Sequence, residues 1–509
     1  MALPGHIAPT DSRIAVVSER LHLSRLPSQY AWYTVGVLLQ KVAAFALIPV
    51  YTAYLSTTEY GTLELIYAGL GLTSVFIAAG VPGAINKCYH RDCRTENDRR
   101  ELVGTAVLFT AATLALVLAG GLCLDRALGR LVFGEGVSVG YLRWTLACLV
   151  LSQTVMIPLE LSRTLGRAGQ YVAFSLLQVA VQIAISVVLL AQFGLGVTGI
   201  LVANVLAYGC VQLVSLPFLL RHCKLRFSWS NLYVLAAFGM AMIPASLAGW
   251  VTNVSDRFFL QHYASASDVG VYALGYKFGM LIELAFILPF QKAWNPVFFS
   301  VSHRPRARLV LGRTLTYYFG ALCLCVAALT VAGTPLVHLM AHPDFAAAAG
   351  VIPLVAIAYL LGGMASYLGT GLIVANRTRV IALVMSVGAA VNIVLNIALI
   401  PALGMMGAAL STIASFAANA ALMLWAVSRW YPIRIEYDRL AKIAVAVLLP
   451  LLVGWQIHCG SPVWELLSRG AILLTAPLVL LIVRFPNASE QLWLRRLRVR
   501  GRRSATAAP

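Results

Sequence analysis

The sequence predicts an all-α integral membrane protein of about fourteen transmembrane helices, built as two six-helix repeats plus two C-terminal helices. Three observations carry that prediction. Of 509 residues, 60% are hydrophobic and 11% charged, with a mean hydropathy of +0.83. A water-soluble domain carries roughly 45–50% apolar and 25% charged residues. The apolar residues also gather into runs of about 20, the length that crosses a hydrocarbon core. Finally, 31 of the 38 Lys and Arg residues fall in alternate connections and the two tails, which is how orientation is encoded.

Taken in order, the apolar runs place spans near 30–53, 61–84, 102–124, 139–158, 171–192, 197–220, 232–255, 270–290, 314–333, 350–375, 380–400, 405–427, 440–457 and 466–483. Pro49, Pro244, Pro289, Pro353, Pro450 and Pro477 lie in or beside them, so bent helices are expected. Residues 1–28 are polar and lack an A-x-A site; the first span itself is expected to direct insertion. Basic clusters such as Lys87–Arg100, Arg221–Arg226, Arg304–Arg313 and Arg429–Lys442 mark one side. The few outer basic residues are Arg126, Arg130, Arg143, Arg257 and Arg469. This alternation predicts a multi-pass inner-membrane protein with both termini cytoplasmic.

The net charge of +19 does not argue for nucleic acid, which needs a basic patch on a folded domain. The tail QLWLRRLRVRGRR (491–503) reads as a basic stop-transfer flank or as an amphipathic lipid-binding segment. Cys88, His90 and Cys93 in CYHRDC fall short of the four ligands of a zinc site, so no metal is expected. No nucleotide loop, HExxH or large catalytic loop is present. The chain therefore reads as no enzyme and without a cofactor, any energy coming from an H⁺ or Na⁺ gradient or from downstream consumption of substrate.

An internal repeat sets the organisation. YLSTTEYGTLELIYAGLGL (54–72) aligns with YASASDVGVYALGYKFGML (263–281), and LGVTGI (195–200) with LGMMGA (403–408), at offsets of 209 and 208. Chance similarity of apolar helices would not reproduce the offset. The expected division is a cytoplasmic tail 1–28, a first repeat 29–228, a second repeat 229–436, two extra helices 437–485 and a basic tail 486–509. Six spans per repeat give both halves one orientation, with a substrate site expected at the repeat interface.

Three stretches carry a family resemblance: LSTTEYG after the first span; DRFFLQHYASASDVGVYALGYKFG running on to KAWNPVFF; and VNIVLNIALIP followed by LGMMGA. In order and spacing they resemble the polysaccharide transporter (oligosaccharide flippase) family of the multidrug/oligosaccharidyl-lipid/polysaccharide exporter superfamily. The resemblance implies a V-shaped bundle working by alternating access, with helices 1, 2, 7 and 8 around a cavity. It further implies translocation of undecaprenyl-pyrophosphate-linked oligosaccharide units for O-antigen, capsule or exopolysaccharide. Implied partners are the lipid-linked oligosaccharide, membrane lipids, and a polysaccharide polymerase and chain-length regulator. LSTTEYG differs from the corresponding motif of peptidoglycan-precursor flippases, which argues against that substrate. A multidrug or cation antiporter of the same superfamily and, further off, a membrane-embedded sugar polymerase or glycosyltransferase are the competing readings.

Ionisable residues inside spans cost about 2.5–3.5 kcal/mol each on insertion scales and are functional candidates by default. Lys41, Arg257 and Lys277 are candidate substrate-binding cations, suited to a pyrophosphate that has shed its water. Glu64, Asp256 and Glu283 are candidate coupling or gating carboxylates. Each has a plainer reading: snorkelling for Lys277, an interfacial pair for Asp256–Arg257, charge neutralisation for Glu283. Glu160–Arg163 reads as a structural pair, and Gln178/Gln182 and Asn392/Asn396 as helix glue or sugar contacts. Tyr67, Trp250, Tyr272 and Tyr276 could stack on sugars or form an interface belt.

Overall fold

The computed structural model describes residues 45–78, 81–91, 93–123, 139–302, 304, 306–455 and 462–482, with positions 36, 39 and 42. The described residues form helices and their connections. In chain order these are α1 (Ile48–Tyr54), α2 (Thr57–Ala78), α3 (Val81–Arg91), α4 (Glu96–Cys123), α5 (Val139–Thr164), α6 (Ala168–Ala191), α7 (Gly196–His222) and α8 (Trp229–Val254). Then follow α9 (Asp256–Tyr263), α10 (Ala266–Gly279), a π turn (Glu283–Ile287), α11 (Leu288–Val301), α12 (Ala307–Met340), a 3₁₀ segment (Pro343–Gly350) and α13 (Val351–Val374). The chain ends in α14 (Thr378–Trp430), α15 (Tyr437–Trp455), α16 (Pro462–Leu473) and α17 (Ala476–Ile482).

Among the described residues ten helices are long and apolar enough to cross a membrane. The expected first span lies largely outside those residues, and the last two correspond to α15 and to α16–α17, beyond the ten. The expected spans 380–400 and 405–427 are the two legs of α14, two helices that meet across a kink at Gly404, where the backbone is non-helical with φ 55° and ψ −132°. Large apolar side chains stand outward, including Leu116, Leu213, Leu339 and Leu383, each more than 65% exposed. A surface of that kind is stable against lipid and not against water.

The chain divides into two compact units: residues 1–55 with 66–246, and residues 56–65 with 247–509. The division falls inside α8, and the first turns of α2 go with the second unit. Each unit repeats the same local devices, which gives the sequence repeat its physical meaning. In the first, Gly104 lies so close to the Lys224 carbonyl that a Cβ would sit 1.8 Å from it, and Lys224 N donates to Arg100 O at 3.0 Å. In the second, a Cβ on Gly312 would sit 1.9 Å from the Arg434 carbonyl oxygen, and Arg434 N donates to Arg308 O at 3.2 Å. α5 ends in a left-handed Gly166 and α13 in a left-handed Asn376, the two residue types that best tolerate that conformation at a helix end. Gly196 and Gly404, at matching places in the two motif copies, both have positive φ.

The core of the first unit holds Ile85, Cys88, Cys93, Leu102, Leu161 and Phe218. His90 Nε2 bonds the Thr164 carbonyl at 3.0 Å, so the CYHRDC stretch is packing and a helix-end contact. Glu160 and Arg163 pair at 3.1 Å, as expected. In the second unit, Asn392 and Asn396 are fully buried. Asn396 donates to Asn392 Oδ1 at 3.0 Å, Ser255 Oγ donates to the same atom at 3.3 Å, and Ser411 donates to Asn396. These asparagines are the interhelical glue the sequence suggested.

Candidate functional site

The site begins with two helix starts. Ser56 and Glu59 form a reciprocal cap on α2: Ser56 N donates to Glu59 Oε2 at 2.9 Å, and Glu59 N to Ser56 Oγ at 3.2 Å. Ser265 caps α10 in the same way, with Asp268 N donating to Ser265 Oγ at 3.1 Å and Ser265 Oγ to Asp268 Oδ2 at 2.6 Å. The aligned Ser/acid pairs of the repeat are therefore helix caps, the first a full capping box and the second closed through the Ser265 hydroxyl. Just beyond them the two helices cross at the aligned glycines. A Cβ on Gly61 would lie 1.8 Å from Ala266 O, and one on Gly270 would lie 2.1 Å from Thr57 O. Residues 61 and 270, and 57 and 266, exchange roles, as a local two-fold relation requires. Ser267 Oγ donates to Thr57 Oγ1 at 2.8 Å across the crossing.

This close approach brings Glu64 of α2 against Lys277 of α10. Lys277 Nζ donates to Glu64 Oε1 at 2.5 Å and to Tyr60 Oη at 2.9 Å, and lies 5.0 Å from the centre of the Tyr60 ring. Arg257 of α9 stands on the other side, its Nε 3.7 Å from Glu64 Oε2. Arg257 NH1 donates to Asn253 O at 3.1 Å and to Asp256 Oδ1 at 3.4 Å, and the guanidinium lies over the Tyr276 ring at 5.1 Å. Tyr272 Oη donates to Asp256 Oδ2. Tyr276 and Tyr359 share Asn253 Oδ1, each at 3.3 Å.

Four of the six candidate ionisable residues thus form one cluster in the second unit. Two carboxylates and two cations leave it formally neutral. The Glu64, Asp256 and Arg257 side chains are buried, whereas that of Lys277 is 29% exposed. Charge in an apolar bundle is tolerated where each ion has a partner and its remaining donors are met by hydrogen bonds or aromatic faces. Lys277 is consequently held by an acid and a ring and does not snorkel. Asp256–Arg257 is no isolated interfacial pair but one edge of this cluster.

Glu283 opens the π turn and is half-buried, within electrostatic reach of Tyr276 and Tyr359. The turn has a cause: Pro289, with no N–H, would clash with the carbonyl of Ala285 in a regular helix, and the widened turn relieves this. Lys41 lies outside the described residues. Tyr272 and Tyr276, candidates for sugar stacking, are 0% and 2% exposed and serve the cluster instead. Sequence reasoning passed over Tyr60, Asn253 and Tyr359. The Tyr60 signal was available, one turn before Glu64 on the same helix face; Tyr359 is 106 residues from Asn253 and carried none.

Helices of bilayer-spanning length with apolar exteriors and a neutralised charge cluster inside define a multi-pass α-helical membrane protein. The family model described as "Polysaccharide biosynthesis protein" matches residues 28–302, just over half the sequence, and the chain belongs to that family. It is 19% identical over 424 residues to the probable low-salt glycan biosynthesis flippase Agl15 of Haloferax volcanii, covering 82% of this chain and 87% of that protein. The fold is similar to that of the lipid II flippase MurJ in an inward closed conformation, with a TM-score of 0.70, 14% identity, and coverage of 91% of this chain and 99% of that one. It is also similar to an inward-facing multidrug resistance MATE family transporter of the MOP superfamily, with a TM-score of 0.60, 14% identity, and coverage of 80% and 95%. The family resemblance read from the sequence motifs is borne out by the family model.

Proposed function

We propose that this protein flips undecaprenyl-pyrophosphate-linked oligosaccharides from the cytoplasmic to the outer leaflet of the inner membrane, for surface polysaccharide assembly. The observation that carries the reading is the Glu64–Lys277–Arg257–Asp256 cluster in a chain of this family. A pyrophosphate leaving water needs cations, and here two cations wait on carboxylates that a phosphate can replace. Of the two, Lys277 has the more open side chain and is the one a head group reaches. Lys41 is a third cation for the same task, and Glu283, beside Tyr276 and Tyr359, a second carboxylate for gating. A multidrug antiporter would instead need carboxylates left over for an organic cation; Glu64 and Asp256 are both engaged.

Deleting the gene and analysing lipid-linked intermediates tests the proposal. Undecaprenyl-linked units should accumulate on the cytoplasmic leaflet while surface polymer is lost. Unchanged polymer with raised drug sensitivity would instead establish the antiporter.

A further inference from the structure

The second unit holds another cavity, remote from the ion cluster. It has a volume of about 280 Å³ and lies between α11, α13 and both legs of α14. Gln291, on the helix that continues from α10, is fourteen positions beyond Lys277, roughly 20 Å at ~1.5 Å per residue. The cavity sits toward the 302–306 and 374–377 ends of these helices; the capped start of α10 is at the other end.

Its lining carries no ionisable group. One wall is polar: Gln291 and Asn295, four apart on α11, face Ser366 and Thr370, four apart on α13, with Gln291 Nε2 donating to Ser366 Oγ at 2.7 Å. The opposite wall is apolar, formed by α14 residues including Met385, Phe416 and Met423. Space exists because α13 turns Ala365 and Gly369 toward it, a Cβ on Gly369 meeting only Met423, at 3.8 Å, while Gly362 packs closely on Phe416. Asn419 adds an amide to the wall. It is 8% exposed, and its Oδ1, packed against Gly388, finds no hydrogen-bond partner among the described residues.

From this geometry we infer that the cavity is a saccharide subsite, taking one uncharged sugar ring of the lipid-linked substrate. A pyranose has apolar C–H faces and a rim of hydroxyls, matching one aromatic and thioether wall and one amide and hydroxyl wall. The size agrees: ligand pockets run from about 300 Å³ upward, so this one holds a single ring and excludes an oligosaccharide. A pyrophosphate would find no counter-charge here. The inference rests on the flippase reading and deepens it: charge is read at Glu64–Lys277 and sugar at Gln291–Ser366, at separate places in one unit.

Binding to the full-length protein in nanodiscs tests it, using undecaprenyl pyrophosphate bearing an oligosaccharide unit long enough to span the roughly 20 Å between the two places and undecaprenyl pyrophosphate without sugar. The wild type should prefer the glycosylated lipid by about tenfold, what one or two net hydrogen bonds supply. Gly369→Leu, which fills the cavity, should abolish that preference while leaving affinity for the bare lipid unchanged. Gln291→Ala/Asn295→Ala, on the half-buried wall, should weaken the preference without filling space, so the test survives misfolding of either variant. Equal binding of both lipids by the wild type, or preference intact in both variants, overturns the subsite. Failure of the wild type to bind either lipid overturns the flippase reading itself, and the subsite with it.

Discussion

Replacing Lys277 by Met should destabilise the protein, and replacing Glu64 by Gln at the same time should recover most of the loss. The two side chains meet at 2.5 Å, with Glu64 buried and Lys277 29% exposed. Removing one member of a buried pair costs about 3–5 kcal/mol, because its partner is left charged in an apolar surrounding. Two features lower that figure: Lys277 is partly exposed, and Glu64 keeps Arg257 at 3.7 Å. We therefore expect each single variant to lose about 2–3 kcal/mol, and the double variant to lose no more than either single one. The implied coupling is about 2 kcal/mol or more, against the ~0.5 kcal/mol within which independent sites add. Denaturant unfolding of the full-length protein in detergent, followed by helical circular dichroism, measures all four corners of the cycle. Strict additivity would refute the pairing and return Lys277 to the status of a free cavity cation.

Further expectations concern the crossing, the cap and the topology. Gly61→Ala forces a methyl to within 1.8 Å of Ala266 O, whereas Gly69→Ala on the same helix meets nothing within 4 Å. The first should cost upwards of about 3 kcal/mol and the second should be neutral or slightly stabilising, read as folded yield and denaturant midpoint. Ser56→Ala removes the α2 cap and should cost about 1 kcal/mol in the same assay. Single cysteines at 96, 306 and 436 should resist impermeant thiol reagents in intact cells, while those at 58, 265 and 344 should be labelled where the outer membrane is permeable. Labelling at 306 would reverse the orientation.

The apolar runs made the helices legible, and the cost of charge in lipid made the cluster's members legible one at a time. Their pairing was not. Glu64 and Lys277 are 213 residues apart, and only the crossing at Gly61 and Gly270 puts them in contact. The sequence marked that crossing by two aligned glycines without saying that they meet each other. LSTTEYG was visible as a repeated motif, but its content, a capping box followed by a close-approach glycine, appears only once the hydrogen bonds are drawn. The break between 400 and 405 reads as a connection because Pro401 and Gly404 punctuate it, and the backbone does leave helical geometry at Gly404, where two helices meet across a kink. The saccharide cavity had no sequence signal at all. It is made by small residues on α13, and glycine in a membrane helix ordinarily marks tight packing rather than space.

Reconstitution is the most direct test of the central claim. Purified wild-type protein in liposomes should raise the rate at which a labelled undecaprenyl-pyrophosphate-linked oligosaccharide crosses between leaflets, well above protein-free vesicles. The Glu64→Gln/Lys277→Met variant, folded but without the exchangeable cation, should fall to the protein-free rate. Equal crossing by wild type and double variant would contradict the role of the cluster, and wild-type crossing no faster than in empty vesicles would contradict the transport assignment.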